Sequence, residues 1–317
     1  MNSSLVKSLL GTGCLIVAGG TALAAPLQRA DLPDSPVWLA HVDCDGLRSS
    51  PIGGFLLEEM NKPENQAKLT VFQTLFSFDL RIQLHGFTLY GTSGAPEDGV
   101  LLVYADFQPD QLVTLAKAAQ DSQNTTYKTH VVYNWIDDKK QAVNGVKPRV
   151  YASIQGNRVI FGQREVRVEA ELDVLDRAAP SLANDTAFPQ LGAAGDTSFL
   201  EAAGQGLDLA TTKANAAISR LTKSARLQIG GTQQISATLA LEAKDEQVAG
   251  QMAIIAQGMV ALLKLQDEKP QAAKLANALA IAQNGATVAV TLTLPNDDIL
   301  AMLKADAAHK AAPKAQP

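Results

Sequence analysis

Apolar and polar residues alternate along "VWLAHVDCD", residues 37–45, with Trp38, Ala40, Val42 and Cys44 on one side and Val37, Leu39, His41, Asp43 and Asp45 on the other. The alternation predicts a strand over Val37 to Asp43. Ser50-Pro51 then supplies an N-cap and a first-turn proline, which predicts a helix start. An amphipathic stretch around Gln66 to Phe78 predicts another helix.

Two longer stretches share one order. Both "FTLYGTSGAPEDGVLLVYADFQPDQLVTLAKAA" and "ARLQIGGTQQISATLALEAKDEQVAGQMAIIAQ" run strand, glycine turn, strand, helix. Aligning Gly91-Thr92 with Gly231-Thr232 brings Asp110-Gln111-Leu112 opposite Glu246-Gln247-Val248, once "SGAPED" is counted as extra turn residues. Gly91, Gly94, Gly230 and Gly231 stand where a hairpin turn wants positive φ. Each pairing is preceded by a strand and helices, in the second half "TSFLEAAGQ" and a helix near Thr211 to Leu221. In the first half it is followed by "THVVYNWI", "RVYASIQG" and "RVIFGQ", in the second by "ATVAVTLTL". Each half closes on a helix, Glu165 to Arg177 and Asn296 to Lys304.

The expected fold class is therefore α+β: two related halves with split β-α-β (ferredoxin-like) character, each an antiparallel sheet flanked by helices. The halves either pack side by side or share one sheet. The expected divisions are a signal segment (1–24), a linker (25–35), a first repeat (36–180), a second repeat (181–304) and a disordered Ala/Lys/Pro tail (305–317).

The segments "HVDCDGLRSS", "TLYG", "VVYNW" and "PSLANDTAFPQL" resemble those of duplicated secreted proteins from Planctomycetes, Verrucomicrobia and related bacteria. They are also similar to a broader bacterial family of exported domains of unknown function, in which a "sLaddpaF"-type segment joins two halves. The resemblance spans most of the chain. It implies an exported α+β protein and supplies no activity, cofactor or catalytic residue.

The first residues agree with export. A single positive charge at Lys7, a short apolar run and Ala22-Leu23-Ala24 compose a secretory signal with cleavage before Ala25. Cys14 lacks the leucine three residues earlier that a lipoprotein signal carries. Residues 1–24 hold one lysine and no acid, so the remainder has 26 Lys+Arg against 32 Asp+Glu, a net charge of −6. A mildly acidic chain without basic clusters excludes the phosphate neutralisation on which nucleic-acid binding rests. The most apolar stretch, "MAIIAQGMVALLKL", is too short and too interrupted to span a bilayer, so no transmembrane anchor is expected after cleavage. It reads as a buried core helix, or else as a Met-lined groove for an apolar peptide or lipid.

Chemical candidates are few. Cys44 continues the apolar row of Trp38, Ala40 and Val42 and reads as a small buried hydrophobe, its thiol pKa raised by neighbouring acids. His41 and Asp43 project the same way along their strand. They read first as the polar end of that strand, emerging into water or capping the next turn. The competing reading seats a metal on His41 and Asp43, with a third ligand from His85 or His130, in a metal-dependent hydrolase. His85 and His130 themselves lie on polar strand faces. No nucleophile elbow, phosphate loop, H-E-x-x-H or haem attachment motif occurs. "EVRVEAELDVLDR" reads as a solvated amphipathic helix with Arg167 and Glu171 as an i,i+4 pair. Tyr133 and Trp135 share one strand face, either packed inward or forming an aromatic surface. The sequence thus favours an exported, non-catalytic envelope protein without a cofactor, binding a protein, peptide or lipid. Intact-mass analysis of the mature protein should give a chain beginning at Ala25, and a mass that retains residues 1–24 would contradict the export signal.

Overall fold

The computed structural model describes residues 26–142, 144–184, 188–193, 197–206, 221–265 and 270–311. Strand β1 (Trp38–Asp43) leads into α1 (Cys44–Arg48), α2 (Pro51–Met60) and α3 (Pro63–Phe76). Then follow β2 (Leu84–Gly91), β3 (Gly99–Ala105), α4 (Pro109–Ala118), β4 (Gln123–Tyr127), β5 (His130–Ile136), β6 (Arg149–Gln155), β7 (Arg158–Gly162) and α5 (Glu165–Leu175). Beyond a connection come β8 (Ser198–Gln205), β9 (Thr222–Gly230), β10 (Gln234–Ala243), α6 (Glu246–Lys264), α7 (Pro270–Asn277), β11 (Leu279–Asn284), β12 (Thr287–Pro295) and α8 (Asn296–Ala311). The chain is α+β.

Local chemistry sets several of these boundaries. Ser50 Oγ accepts the Gly53 N–H at 3.1 Å, with Pro51 at the first helical position of α2. Asp245 Oδ1 accepts the Val248 N–H at 2.8 Å and starts α6. Asp43 ends β1 and caps α1, taking the Gly46 N–H at 2.9 Å. The strand therefore stops one residue before Cys44.

All twelve strands form one sheet in the order β11-β12-β10-β9-β8-β1-β2-β3-β7-β6-β5-β4, and every pairing is antiparallel. A split β-α-β half places another strand between the two that its first helix joins. Here β1 and β2 are direct neighbours, Trp38 opposite Gly91 and Asp43 opposite Gly86, so the ferredoxin-like strand order is not the one adopted. The halves do share a continuous sheet, sewn at β1 and β8, where Trp38 pairs with Gly204 and Val42 with Leu200. Outward from that seam the order is β1-β2-β3-β7-β6 on one side and β8-β9-β10-β12-β11 on the other, with β5 and β4 added to the first.

Register assigns the faces. One carries Leu39, Tyr90, Val100, Leu102 and Ile160, which form the main core with Val168 and Leu172 of α5 and with Leu27, Leu32, Leu182 and Leu191 from the flanking segments. On the opposite face of the second half, Ala249 and Ala253 of α6 pack with Ala243 and Val288 in a smaller cluster. Strands β4 and β11 and helix α7 were not anticipated: "QNTTY" and "LAIAQN" are edge strands without a two-sided apolar pattern. The tail expected to be disordered from Ala305 is helical as far as Ala311, in keeping with its alanine content. The signal segment, all but the last residue of the helix expected near Thr211 to Leu221, and residues 312–317 lie outside the described residues.

Of the four glycines assigned to positive φ, only Gly231 has it, at +123°. Gly91 and Gly230 answer to crowding. A Cβ on Gly230 would sit 2.4 Å from Ser198 Cα, and one on Gly91 would sit 2.4 Å from Trp38 Nε1. Each lies opposite the first residue of the adjoining inner strand. Gly230→Ala should lower stability by about 1–3 kcal/mol, since backbone must move. Gly94→Ala, with nothing within 4 Å, should be near neutral. Urea unfolding of the two variants checks this, and equal midpoints would refute it.

Candidate functional site

His41 and Asp43 do not emerge into water; Asp43 instead caps the next turn, the other course expected of the strand's polar end. They share the buried face of β1 with Leu39, and His41 is 2% exposed, because the segments around Leu27, Leu32 and Leu191 cover that face. The row expected to be apolar and inward, Trp38, Ala40 and Val42, is only half-buried. Pairing on both sides of β1 decides this. His41 stands opposite Thr88 on β2 and opposite Glu201 on β8.

The same row continues across the second half. Glu201 faces Gln228, Gln228 faces Thr238, and Thr238 faces Thr291. Six polar residues thus cross six adjacent strands on one face. His41 Nδ1 lies 2.8 Å from Thr88 Oγ1, Gln228 Nε2 donates to Glu201 Oε1 at 3.2 Å, and the Thr238 and Thr291 hydroxyls are 3.1 Å apart. Both Glu201 carboxylate oxygens accept the Gly192 N–H at 3.1 Å. Arg29 ties down the same connection by donating to the carbonyls of Leu182 (3.0 Å), Phe188 (2.8 Å) and Leu191 (3.3 Å). Each member of the row has a hydrogen-bond partner, and Glu201 takes one of its own from the connection between the halves.

His85 and His130 go elsewhere. His85 Nδ1 is 3.0 Å from Asp45 and its Nε2 3.0 Å from Asp106, so both ring nitrogens face carboxylates. Arg48 shares Asp45. His130 Nε2 lies 2.8 Å from Asp176. Neither is the freely solvated residue that strand alternation implied. Among the described residues no group of three or more His, Cys, Asp or Glu is arranged to hold a metal ion, and His41, Asp43, His85 and His130 have separate partners. Cys44 opens α1 and is half-buried rather than part of an apolar row, and burial is the main cause raising its thiol pKa.

Sequence reasoning placed Glu171 at the surface, paired with Arg167. Arg167 instead donates to Asp98 at 2.9 Å, and Glu171 is fully buried. Its position three residues after Val168 and four before Leu175 puts it on the apolar stripe, a signal available in the sequence. Tyr90 donates its hydroxyl to Glu171 Oε2 at 2.5 Å, while Oε1 has no partner among the described residues. Burial outweighs the Tyr90 donation, and nearby Asp31 adds to it, so the carboxyl is pushed up to about 8.

Helix α6 is not a core helix throughout. Ala249 and Ala253 seat its first turns, but Ile254, Ile255, Met259 and Leu262 are 69%, 61%, 63% and 66% exposed. Ile255, Met259 and Leu262 follow i, i+4, i+7 spacing and lie on one side, turned away from the alanines.

The Glu171 arrangement has a pH consequence. Its folded pKa lies above the ordinary carboxylate value, so its contribution is fully present below about pH 4.5 and is lost as pH rises through about 8. The loss across that window should be on the order of 4 kcal/mol. Glu171→Gln should flatten the thermal stability profile between pH 5 and 9 and be the more stable protein at pH 9. At pH 5 it should be the weaker, because its amide N–H groups gain no partner. A wild-type slope retained in the variant would rule out Glu171 as the source.

No family model matches the chain, and no curated protein matches it. The solved structure of TP0453 in its crystal form I aligns with 89% of this chain and 98% of its own, at 10% sequence identity and a TM-score of 0.44. A likeness at that level assigns neither a family nor a function.

Proposed function

We propose that the protein is an exported, non-catalytic component of the bacterial cell envelope that works by binding, and that α6 carries the binding surface. The exposed aliphatic arc of Ile254, Ile255, Met259 and Leu262 is the observation that supports this reading. Exposed contiguous apolar surface of this kind marks interaction sites. The arc holds no aromatic or arginine anchor of the sort that dominates protein interfaces. Its side chains offer no donor and no acceptor stronger than the Met259 thioether, so its matching occupant is hydrocarbon, the acyl chains of a lipid surface. Glu246 and Lys264 lie at the helix ends and leave the arc uncharged. Among the described residues no helix is long and apolar enough to cross a membrane, so contact at the surface of a bilayer is the mode proposed. The signal-like first residues and the resemblance to exported duplicated proteins support the location, and the matching strand order on either side of the seam supports the internal duplication.

A metal-dependent hydrolase has no comparable support, since His41 is buried against Thr88 within the sheet and Asp43 is buried as the cap of α1. The test is co-sedimentation with neutral phosphatidylcholine vesicles. The mature protein should pellet with them, and a variant carrying Ile255→Glu, Met259→Glu and Leu262→Glu should lose at least ten-fold in partitioning while keeping its circular dichroism. A wild-type protein that stays in the supernatant would refute lipid contact. A wild type that dimerises where the triple variant is monomeric, with no vesicle binding, would assign the arc to assembly instead.

A further inference from the structure

A second apolar feature lies in the first half, independent of α6. Tyr133 and Trp135, two residues apart on β5, project the same way and line a pocket of about 220 Å³ under α4. Leu115 and Ala116 of α4 form its roof, and Phe76 and Phe161 close its sides. Phe76 is held in place by stacking on Phe72, ring centroids 4.5 Å apart, within an aromatic group that also includes Phe78 and Phe107. The wall is therefore set by packing outside the pocket.

Three features specify what would fit. Among the described residues no charged side chain lines the space, so a charged ligand would be desolvated without compensation. Its volume exceeds the roughly 150 Å³ apolar cavity that takes up benzene, and suits a single substituted ring. Four rings surround it, and rings favour edge-on or offset contact with another ring. The Tyr133 hydroxyl and the Trp135 indole N–H make no hydrogen bond among the described residues, and both can donate. A mostly apolar concavity with a few donors able to fix orientation is the usual make-up of a small-molecule site. Alanines at 116, 119 and 152 keep the space open where a larger aliphatic residue at any of them would fill it.

We propose that this pocket binds one uncharged, ring-sized aromatic molecule bearing a hydrogen-bond acceptor, with Tyr133 and Trp135 donating to that acceptor. The experiment is calorimetric titration of the mature protein with acetophenone, ethylbenzene and 1-octanol. Acetophenone should bind saturably and about ten-fold more tightly than ethylbenzene, with 1-octanol weaker than both. Ala116→Leu should weaken acetophenone at least ten-fold without lowering the melting temperature, and Ala119→Leu, at the rim, provides the same reading should the first variant fold poorly. Combining Tyr133→Phe with Trp135→Phe should abolish the preference for acetophenone while ethylbenzene still binds. Absence of saturable binding by either ring, tighter binding of 1-octanol, or unchanged affinity in both filled variants would each overturn the proposal. None of these outcomes depends on α6 or on vesicles, so the two readings stand or fall separately.

Discussion

The antiparallel pairing of β1 with β8 is the constraint on which the rest of the architecture depends. Without it the chain would present two smaller sheets, each with an inner edge of unpaired backbone groups. With it, twelve strands share one sheet, and both edges of β1 become interior to it. The pairing also brings His41 and Glu201 side by side where neither reaches water. Buried polar groups of this kind are tolerated only when bonded. The connection between the halves meets that requirement in part, through the Gly192 N–H at Glu201, with Arg29 anchoring its carbonyls.

Coverage of the two faces follows from which side of each strand is apolar. Over the first half, α5 buries Val168 and Leu172 on Leu102 and Ile160, and the flanking segments complete the roof. On the corresponding face of the second half the row from Gln228 to Thr291 is polar, and its hydroxyls bond one another. The other face of that half is aliphatic, and α6 settles there through alanines. Alanines allow close approach but bury little area, so the helix is held along one narrow stripe. Ile254, Ile255, Met259 and Leu262 have no place in the core and stand exposed.

The buried carboxyl of Glu171 is an exception inside a well-packed core. Its hydrogen bond from Tyr90 ties α5 to β2, and the oxygen without a partner among the described residues carries the cost of burial. Such a group stays neutral more readily than it stays charged, which is why its protonation and the attachment of α5 are linked.

The sequence by itself determined what depends on near neighbours along the chain. Strand alternation, the Ser50 cap and the start of α6 at Glu246 were legible because each is fixed within a few residues. The α+β class and the hairpins β2–β3 and β9–β10 were legible for the same reason. Tertiary structure alone decided which face of each element is covered. His41 and Asp43 looked like the wet end of a strand because alternation gives the two faces and not their neighbours, and β8 arrives from more than 150 residues away. Glu171 looked solvated because an i,i+4 partner was present, yet Arg167 found Asp98 on another element. The apolar length of α6 suggested a core helix, but the sheet beneath offers only one narrow seat. Burial belongs to surfaces that meet, and those surfaces are set by long-range pairing that no local pattern encodes.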